Sequence, residues 1–170
     1  MSNYIHSTAI VHPNVELGDN NWIGPFCIIG GAPEYPNRHP DQPHGKVIIG
    51  NGNILHGHIT IDAATQDELT IIGNDNTFMK GSHVGRNAII HDNCTLSCGA
   101  KIGGFSVINN YCTIGLNATL HQRTILSEGM MIGANSFIKG CDFLPFTVYA
   151  GVPARFIKAN HYLIDKLKNK

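Results

Sequence analysis

Charge is scarce in this chain: only 14% of its 170 residues are Asp, Glu, Lys or Arg, and the two signs cancel with histidine counted neutral. A balanced charge provides no basic field for nucleic acid or an acidic membrane surface, so neither is expected as a partner. Long apolar runs are also missing, which excludes a transmembrane segment built from the roughly 20 apolar residues a bilayer requires. The polar start Met1-Ser2-Asn3 does not read as a signal peptide. Cysteine pairs of the CxxC kind are absent. Five cysteines, Cys27, Cys94, Cys98, Cys112 and Cys141, leave an odd count, so reduced thiols and a cytoplasmic location are expected. What the chain does have is 19 glycines, many asparagines and 42% apolar residues, the composition of a one-domain fold with frequent tight turns and a real core.

An internal repeat dominates the sequence. From Ile5 an aliphatic residue recurs every six positions, at Val11, Leu17, Ile23 and Ile29. The register breaks over 31–46 and resumes at Ile49, Leu55 and Ile61. After a shorter insertion (Ala63 to Leu69) it runs through Ile72, Phe78, Val84, Ile90, Leu96, Ile102, Ile108, Ile114, Leu120, Leu126, Ile132, Ile138 and Leu144. Glycine often follows the anchor, and the fourth residue after it is usually small, as at Cys27, Ser82, Ala88, Cys94, Ala100, Cys112 and Ala118. A six-residue period matches neither the 3.6 of a helix nor the 2 of a simple hairpin sheet. Three hexads instead close one triangular coil of 18 residues, and coils stack at about 4.8 Å, so positions 18 apart form columns. This predicts an all-β parallel β-helix of about seven coils over 1–149, with a projecting loop at 31–46. Cys94 and Cys112 become a stacked interior pair. The tail 150–170 is expected to carry a short C-terminal α-helix within 156–170 (Ile157, Tyr162, Ile164, Leu167) that caps the last coil and covers its open edge.

The columns also gather polar residues. Asp62, Gly85, Gly103 and His121 each follow an anchor on one prism face, and His83 sits at the corner entering that face. Asp62, His83, Arg86 and His121 are therefore expected in one stripe roughly 10–15 Å tall.

Several stretches resemble the UDP-N-acetylglucosamine O-acyltransferase family, nucleotide-sugar acyltransferases built on hexapeptide repeats. They are Ile5-His6-Ser7-Thr8-Ala9-Ile10-Val11-His12-Pro13, Ile23-Gly24-Pro25-Phe26, Asn76 to His83, and Ala118-Thr119-Leu120-His121-Gln122. The resemblance spans Ile5 to about Pro145. It implies left-handed winding, a homotrimer with active sites between subunits, and acyl transfer to a hydroxyl or amino group of a nucleotide-linked sugar. The donor it implies is acyl-CoA or acyl carrier protein, with no permanently bound cofactor. The neutral overall charge favours CoA, since an acidic carrier would find no basic face. Two positions depart from the family: Arg86 stands where it has its base histidine, and Phe105 where it has a later one. The segment Gly151-Val152-Pro153-Ala154-Arg155 is instead similar to the tail of acetyl-CoA-using hexapeptide transferases.

Acyl transfer from a thioester needs a base for the acceptor, donors for the oxyanion and a path for pantetheine. With Arg86 at the family's base position, the histidine that is kept, His83, is the candidate general base, with Asp62 orienting it or binding sugar. His121 and Arg86 are candidates for acyl-donor or phosphate contacts, and Gly103 for backbone NH groups open to the thioester carbonyl. The proline-rich loop 31–46 offers Glu34, Tyr35, Arg38 and Asp41 for sugar or nucleotide across a neighbouring subunit's cleft. Simpler readings remain open: a turn histidine at His83, a turn-capping carboxylate at Asp62, a loop that only braces a trimer. No metal ligands are assigned. His56, His58 and His91 raise the alternative of a zinc-dependent γ-type carbonic anhydrase, and Arg86 that of a catalytically silent scaffold or binding protein.

Overall fold

The computed structural model describes residues 2–34, 36, 39–42 and 44–169, and within them the chain winds as a three-sided parallel β-helix. One wall holds nine strands, from Tyr4–Ile5 through Thr77–Phe78 and Met131–Ile132 to Thr147–Gly151 and Ala154–Ala159. The second wall holds seven, from Ile10–Val11 through Ile28–Gly31, Thr60–Asp62, His83–Val84, Lys101–Ile102 and Thr119–Leu120 to Phe137–Ile138. The third holds six, from Val15–Leu17 through Lys46–Ile49 and Ile89–Ile90 to Ile125–Leu126. The eighteen-residue register is direct: Thr77 pairs with Thr95, Thr95 with Thr113, Thr113 with Met131. The repeat's anchors and its small fourth residues fill the interior, from Ile23 and Cys27 to Leu126, Ile132 and Ile138. Cys94 and Cys112 lie in adjacent buried rungs as expected, and all five cysteines are unbridged.

Each corner turns on a residue in the left-handed backbone region, and between Asp75 and Asn135 this recurs every six residues. Left-handed φ is unstrained for glycine and tolerable for asparagine, which accounts for the chain's wealth of both. Asparagine also works inside. At the corner between the third and first walls, Asn21 Oδ1 accepts from the Asn53 NH at 2.9 Å, Asn53 Oδ1 from Asn76 at 3.0 Å and Asn76 Oδ1 from Cys94 at 2.7 Å. A parallel ladder runs outside, where Asn74 accepts from the Asn51 NH, Asp92 from Asn74 and Asn110 from Asp92.

Both ends depart from the expectation. Ile5 is 45% exposed because no coil lies beneath it, and Leu144 is 69% exposed because the register slips after Ile138 and Phe143 packs on the core instead. The terminal helix is shorter, His161–Lys168, and Phe156 and Ile157 belong to a strand. That strand, Ala154–Ala159, pairs antiparallel with Thr147–Gly151 and covers the last edge of the first wall. The helix does not cap the coil; it lies along the outside of the first wall, over a groove of about 290 Å³ bordered by Thr95, Thr113, Leu163 and Leu167. Asn160 begins it, its side chain accepting from the Leu163 NH. Among the described residues no helix is long and apolar enough to cross a membrane.

Candidate functional site

The second wall points alternate residues outward, so the column Thr60, His83, Lys101, Thr119 stands on its surface in register. Asp62 lies one residue past the anchor Ile61, at the end of its strand, opposite Gly31. That pairing brings the first residues of the projecting loop down beside it. The result is a cleft in which Glu34, Asp62, His83, Arg86 and Lys101 converge.

His83 is half-buried. Its Nδ1 and the Thr60 hydroxyl are 2.8 Å apart, and its Nε2 lies 3.9 Å from Asp62 Oδ2. At that separation an ion pair would hold the carboxyl down and the imidazole up, yet both shifts run the other way. Burial, with the Glu34 charge second, pushes Asp62 up to about 7, and burial lowers His83. Desolvation therefore outweighs the attraction, and the pair sits near the point where both groups are neutral. Glu34 touches both sides of the cleft with its backbone: its NH bonds the Asp62 carboxylate, and its carbonyl accepts from Arg86 Nη1 at 3.0 Å. Lys101 Nζ donates to the carbonyls of Gly81 at 3.1 Å and Gly99 at 2.9 Å.

Of the residues singled out by sequence, the structure brings together Asp62, His83, Arg86 and Glu34. His121 does not join them. It stands two rungs further along, exposed, with Nδ1 at 3.0 Å from the Gln122 carbonyl and its ring edge-on to Phe137. Gly103 borders the cleft, but its NH is not open: it donates to the Leu120 carbonyl at 3.0 Å as part of the coil-to-coil ladder. Glycine is required there for close approach, since a Cβ would lie 2.5 Å from the Gln122 nitrogen. Asp41 does not reach the cleft either, because it is exposed and faces His39 Nδ1 at 3.2 Å. Tyr35 and Arg38 lie outside the described residues. The histidines considered for zinc are dispersed: His56 tilts against Trp22, His58 stacks on Phe26, and His91 follows a third-wall strand. Thr60 and Lys101 escaped the sequence reading. Lys101 lies one 18-residue step past His83 and was readable from the period; Thr60 was hidden by the short insertion, which stretches its step to His83 to 23 residues.

The cleft has two parts that meet at His83. A broader part of about 500 Å³ runs from Ile28 and Gly31 to Lys101. A narrower one of about 190 Å³ runs past Arg86 over the floor of Gly103 and Gly104 to Thr119.

Coil, cleft and period together define a hexapeptide-repeat β-helix with a cleft on its second wall, and the family model described as bacterial transferase hexapeptide (six repeats) matches residues 69–104. The chain is similar to the acyl-(acyl-carrier-protein)–UDP-N-acetylglucosamine O-acyltransferase of Rickettsia peacockii, at 30% identity over 49% of this chain and 45% of the relative. It therefore spans less than half the length of that curated relative. Among solved structures, the UDP-N-acetylglucosamine acyltransferase of Bacteroides fragilis superposes with a TM-score of 0.81 at 25% identity, covering 98% of this chain and 64% of that one. The enzyme of Moraxella catarrhalis gives 0.78 at 22%, covering 96% and 77%. The resemblance expected from the motifs holds, and with it the left-handed winding.

Proposed function

We propose that this protein is an acyltransferase that moves an acyl group from a pantetheine thioester, acyl-CoA or acyl carrier protein, to a hydroxyl or amino group of a nucleotide-linked sugar. The observation that carries this reading is the His83–Asp62 pair, half-buried at the junction of a broad and a narrow cleft on a fold shared with such enzymes. The sugar nucleotide occupies the broad part beside the loop, and the slender thioester arm the narrow part. In the tautomer this reading requires, Nδ1–H of His83 donates to the Thr60 hydroxyl 2.8 Å away and Nε2 is left as the base. As the acceptor oxygen or nitrogen attacks the thioester carbonyl carbon, its proton passes to Nε2. Collapse of the tetrahedral intermediate breaks the C–S bond and returns that proton to the leaving sulfur. Asp62, once ionised, stabilises the imidazolium formed in the first half.

Burial keeps His83 neutral at working pH, so the base is ready without prior deprotonation. The ionisation of Asp62 near 7 then makes turnover rise between about pH 6 and 8. Replacing His83 by Ala lowers thioester consumption by about 10²–10⁴-fold; turnover unchanged from wild type removes His83 from the role. A catalytically silent binding protein is favoured by one feature, Arg86 held by the Glu34 carbonyl where the resembling family has its histidine. Thioester consumption by the wild-type chain separates the two.

The homotrimer belongs to the same reading. The third wall presents Ile48, Ile71, Ile89, Val107 and Ile125 outward on five successive rungs, an aliphatic face that a neighbouring copy would cover. A cytoplasmic location follows from the nature of the substrates.

A further inference from the structure

The six-residue cadence of left-handed corners is met by relaxed residues at Gly81, Asn87, Asn93, Gly99, Asn117, Gly129 and Asn135, but by bulky ones at Phe105, Tyr111 and Arg123. Two of these exceptions, Phe105 and Arg123, occupy successive rungs of one corner, between the second and third walls. Large side chains with φ near 60° are disfavoured, and such outliers concentrate where a side chain is needed for a task. Here the task is visible. The Arg123 guanidinium lies 4.6 Å from the Phe105 ring centroid, and that of Arg86 lies 5.5 Å from the same ring. Arg86 is met by the Glu34 carbonyl and by the Asp62 charge, so the open cation of the pair is Arg123. Arg123 makes no ion pair with a carboxylate among the described residues. Arg86 also borders the narrow cleft, so the corner is continuous with the candidate site.

We propose that Arg123 and Arg86, set by the Phe105 ring between them in sequence and in contact, form an anion subsite that grips the phosphate of a phosphopantetheine thioester and thereby selects the acyl donor. This rests on the acyl-transfer reading and adds where the donor is held. Position favours the donor over the sugar nucleotide's diphosphate: the corner opens from the narrow, glycine-floored part of the cleft, whereas the broad part runs from His83 towards Ile28 and Gly31. Guanidinium forks suit phosphate oxygens, and an aromatic ring positions the Arg123 fork without neutralising it. Lys139, one rung past His121 beside the corner, extends the cationic strip along the path the donor would leave by.

The test measures binding by calorimetry on the full chain, with CoA, pantetheine, a phosphopantetheinylated carrier protein and UDP-N-acetylglucosamine as probes. The variants are Arg123→Asn, which suits the left-handed backbone and so spares the fold, and Arg123→Lys, which keeps one charge. The expected result is CoA binding weakened about tenfold or more in Arg123→Asn, by less in Arg123→Lys, with pantetheine and the nucleotide sugar unaffected. An equal loss for the carrier protein assigns the subsite to the phosphate common to both donors; a loss for CoA alone assigns it to the nucleotide-linked donor. Either supports the proposal. Unchanged CoA and carrier binding in Arg123→Asn, or a loss confined to the nucleotide sugar, overturns it while leaving acyl transfer standing. Wild-type chain that binds neither CoA nor the carrier protein overturns both.

Discussion

At Asp62 the fold holds a carboxyl group against its own preference. The side chain is 13% exposed, and its ionisation is displaced from 3.8 to about 7 chiefly by burial. The folded state thus binds the proton more tightly than the unfolded chain does. That contribution is fully present below pH 4 and is lost as pH rises towards 7, so at neutral pH the charged form works against folding. Asp62→Asn, neutral at every pH and of the same shape, is expected to match wild type near pH 4. It should be more stable by a few kcal/mol at pH 8, an order-of-magnitude figure from the displaced ionisation. Urea midpoints at the two pH values check this, and an equal difference at both would show that desolvation is not what strains Asp62. The same variant is expected to lose turnover, the usual exchange of stability for function at an active site. At this scale the sequence was a good guide where a residue followed an anchor directly, as Asp62 does, and a poor one for side-chain direction. His121 occupied the expected column, but a ring that finds the Gln122 carbonyl and the edge of Phe137 turns away from the cleft, and no periodicity reports a rotamer.

Among the elements, the interior asparagine ladder shows what the repeat asks of its fourth position. Asn21, Asn53 and Asn76 are buried there, although asparagine reads as a turn residue and the small-residue rule passes over them. The buried amides act in two ways. Each oxygen accepts the NH of the next rung, and for Asn21 and Asn53 the amide nitrogen donates to the carbonyl following the next anchor, at Gly50 and Gly73. Further along the column, Cys94 and Cys112 reproduce only the donor half, their thiols pointing at the Asn109 and Ser127 carbonyls at 3.2 Å. With the thiols in mutual contact and buried, ionisation of Cys112 is strongly opposed, so the pair acts as packing and weak donors. Asn53→Ala removes an acceptor and a donor from a fully buried site and leaves the Asn76 NH without its partner; it is expected to cost on the order of 2–4 kcal/mol in urea denaturation. A loss below about 0.5 kcal/mol would mean that the ladder follows the coil rather than holding it. The chain ends show the converse limit: a period predicts coils only while coils stack on both sides, so the exposed Ile5, the slipped Leu144 and the closing antiparallel strand carried no periodic signal.

For the molecule as a whole, the three prism walls are unequal, and the inequality says how copies would meet. Outward positions on the middle rungs of the first wall are threonines, Thr77, Thr95 and Thr113; those of the second are Thr60, His83, Lys101 and Thr119. The first is partly overlain by the terminal helix, and the second carries the cleft. The third wall offers only Ile48, Ile71, Ile89, Val107 and Ile125 at the corresponding places, a stripe in which every rung adds an apolar side chain to the one before. Such a stripe is costly to leave wet, and closed symmetry lets identical copies cover it. A lysine at its centre should therefore act on assembly and not on the coil, because the Ile89 side chain points away from the core that Ala88 and Ile90 fill on either side. Ile89→Lys is expected to retain the cooperative unfolding of a folded chain while sedimenting as a monomer where wild type sediments at three times that mass. Thioester consumption should fall with the assembly, by at least about tenfold, because a cleft walled by one chain no longer excludes water or positions both substrates. A variant that stays trimeric would place the contact on another wall. A monomer with full turnover would show that Asp62, His83 and Arg86 form a complete site within one chain.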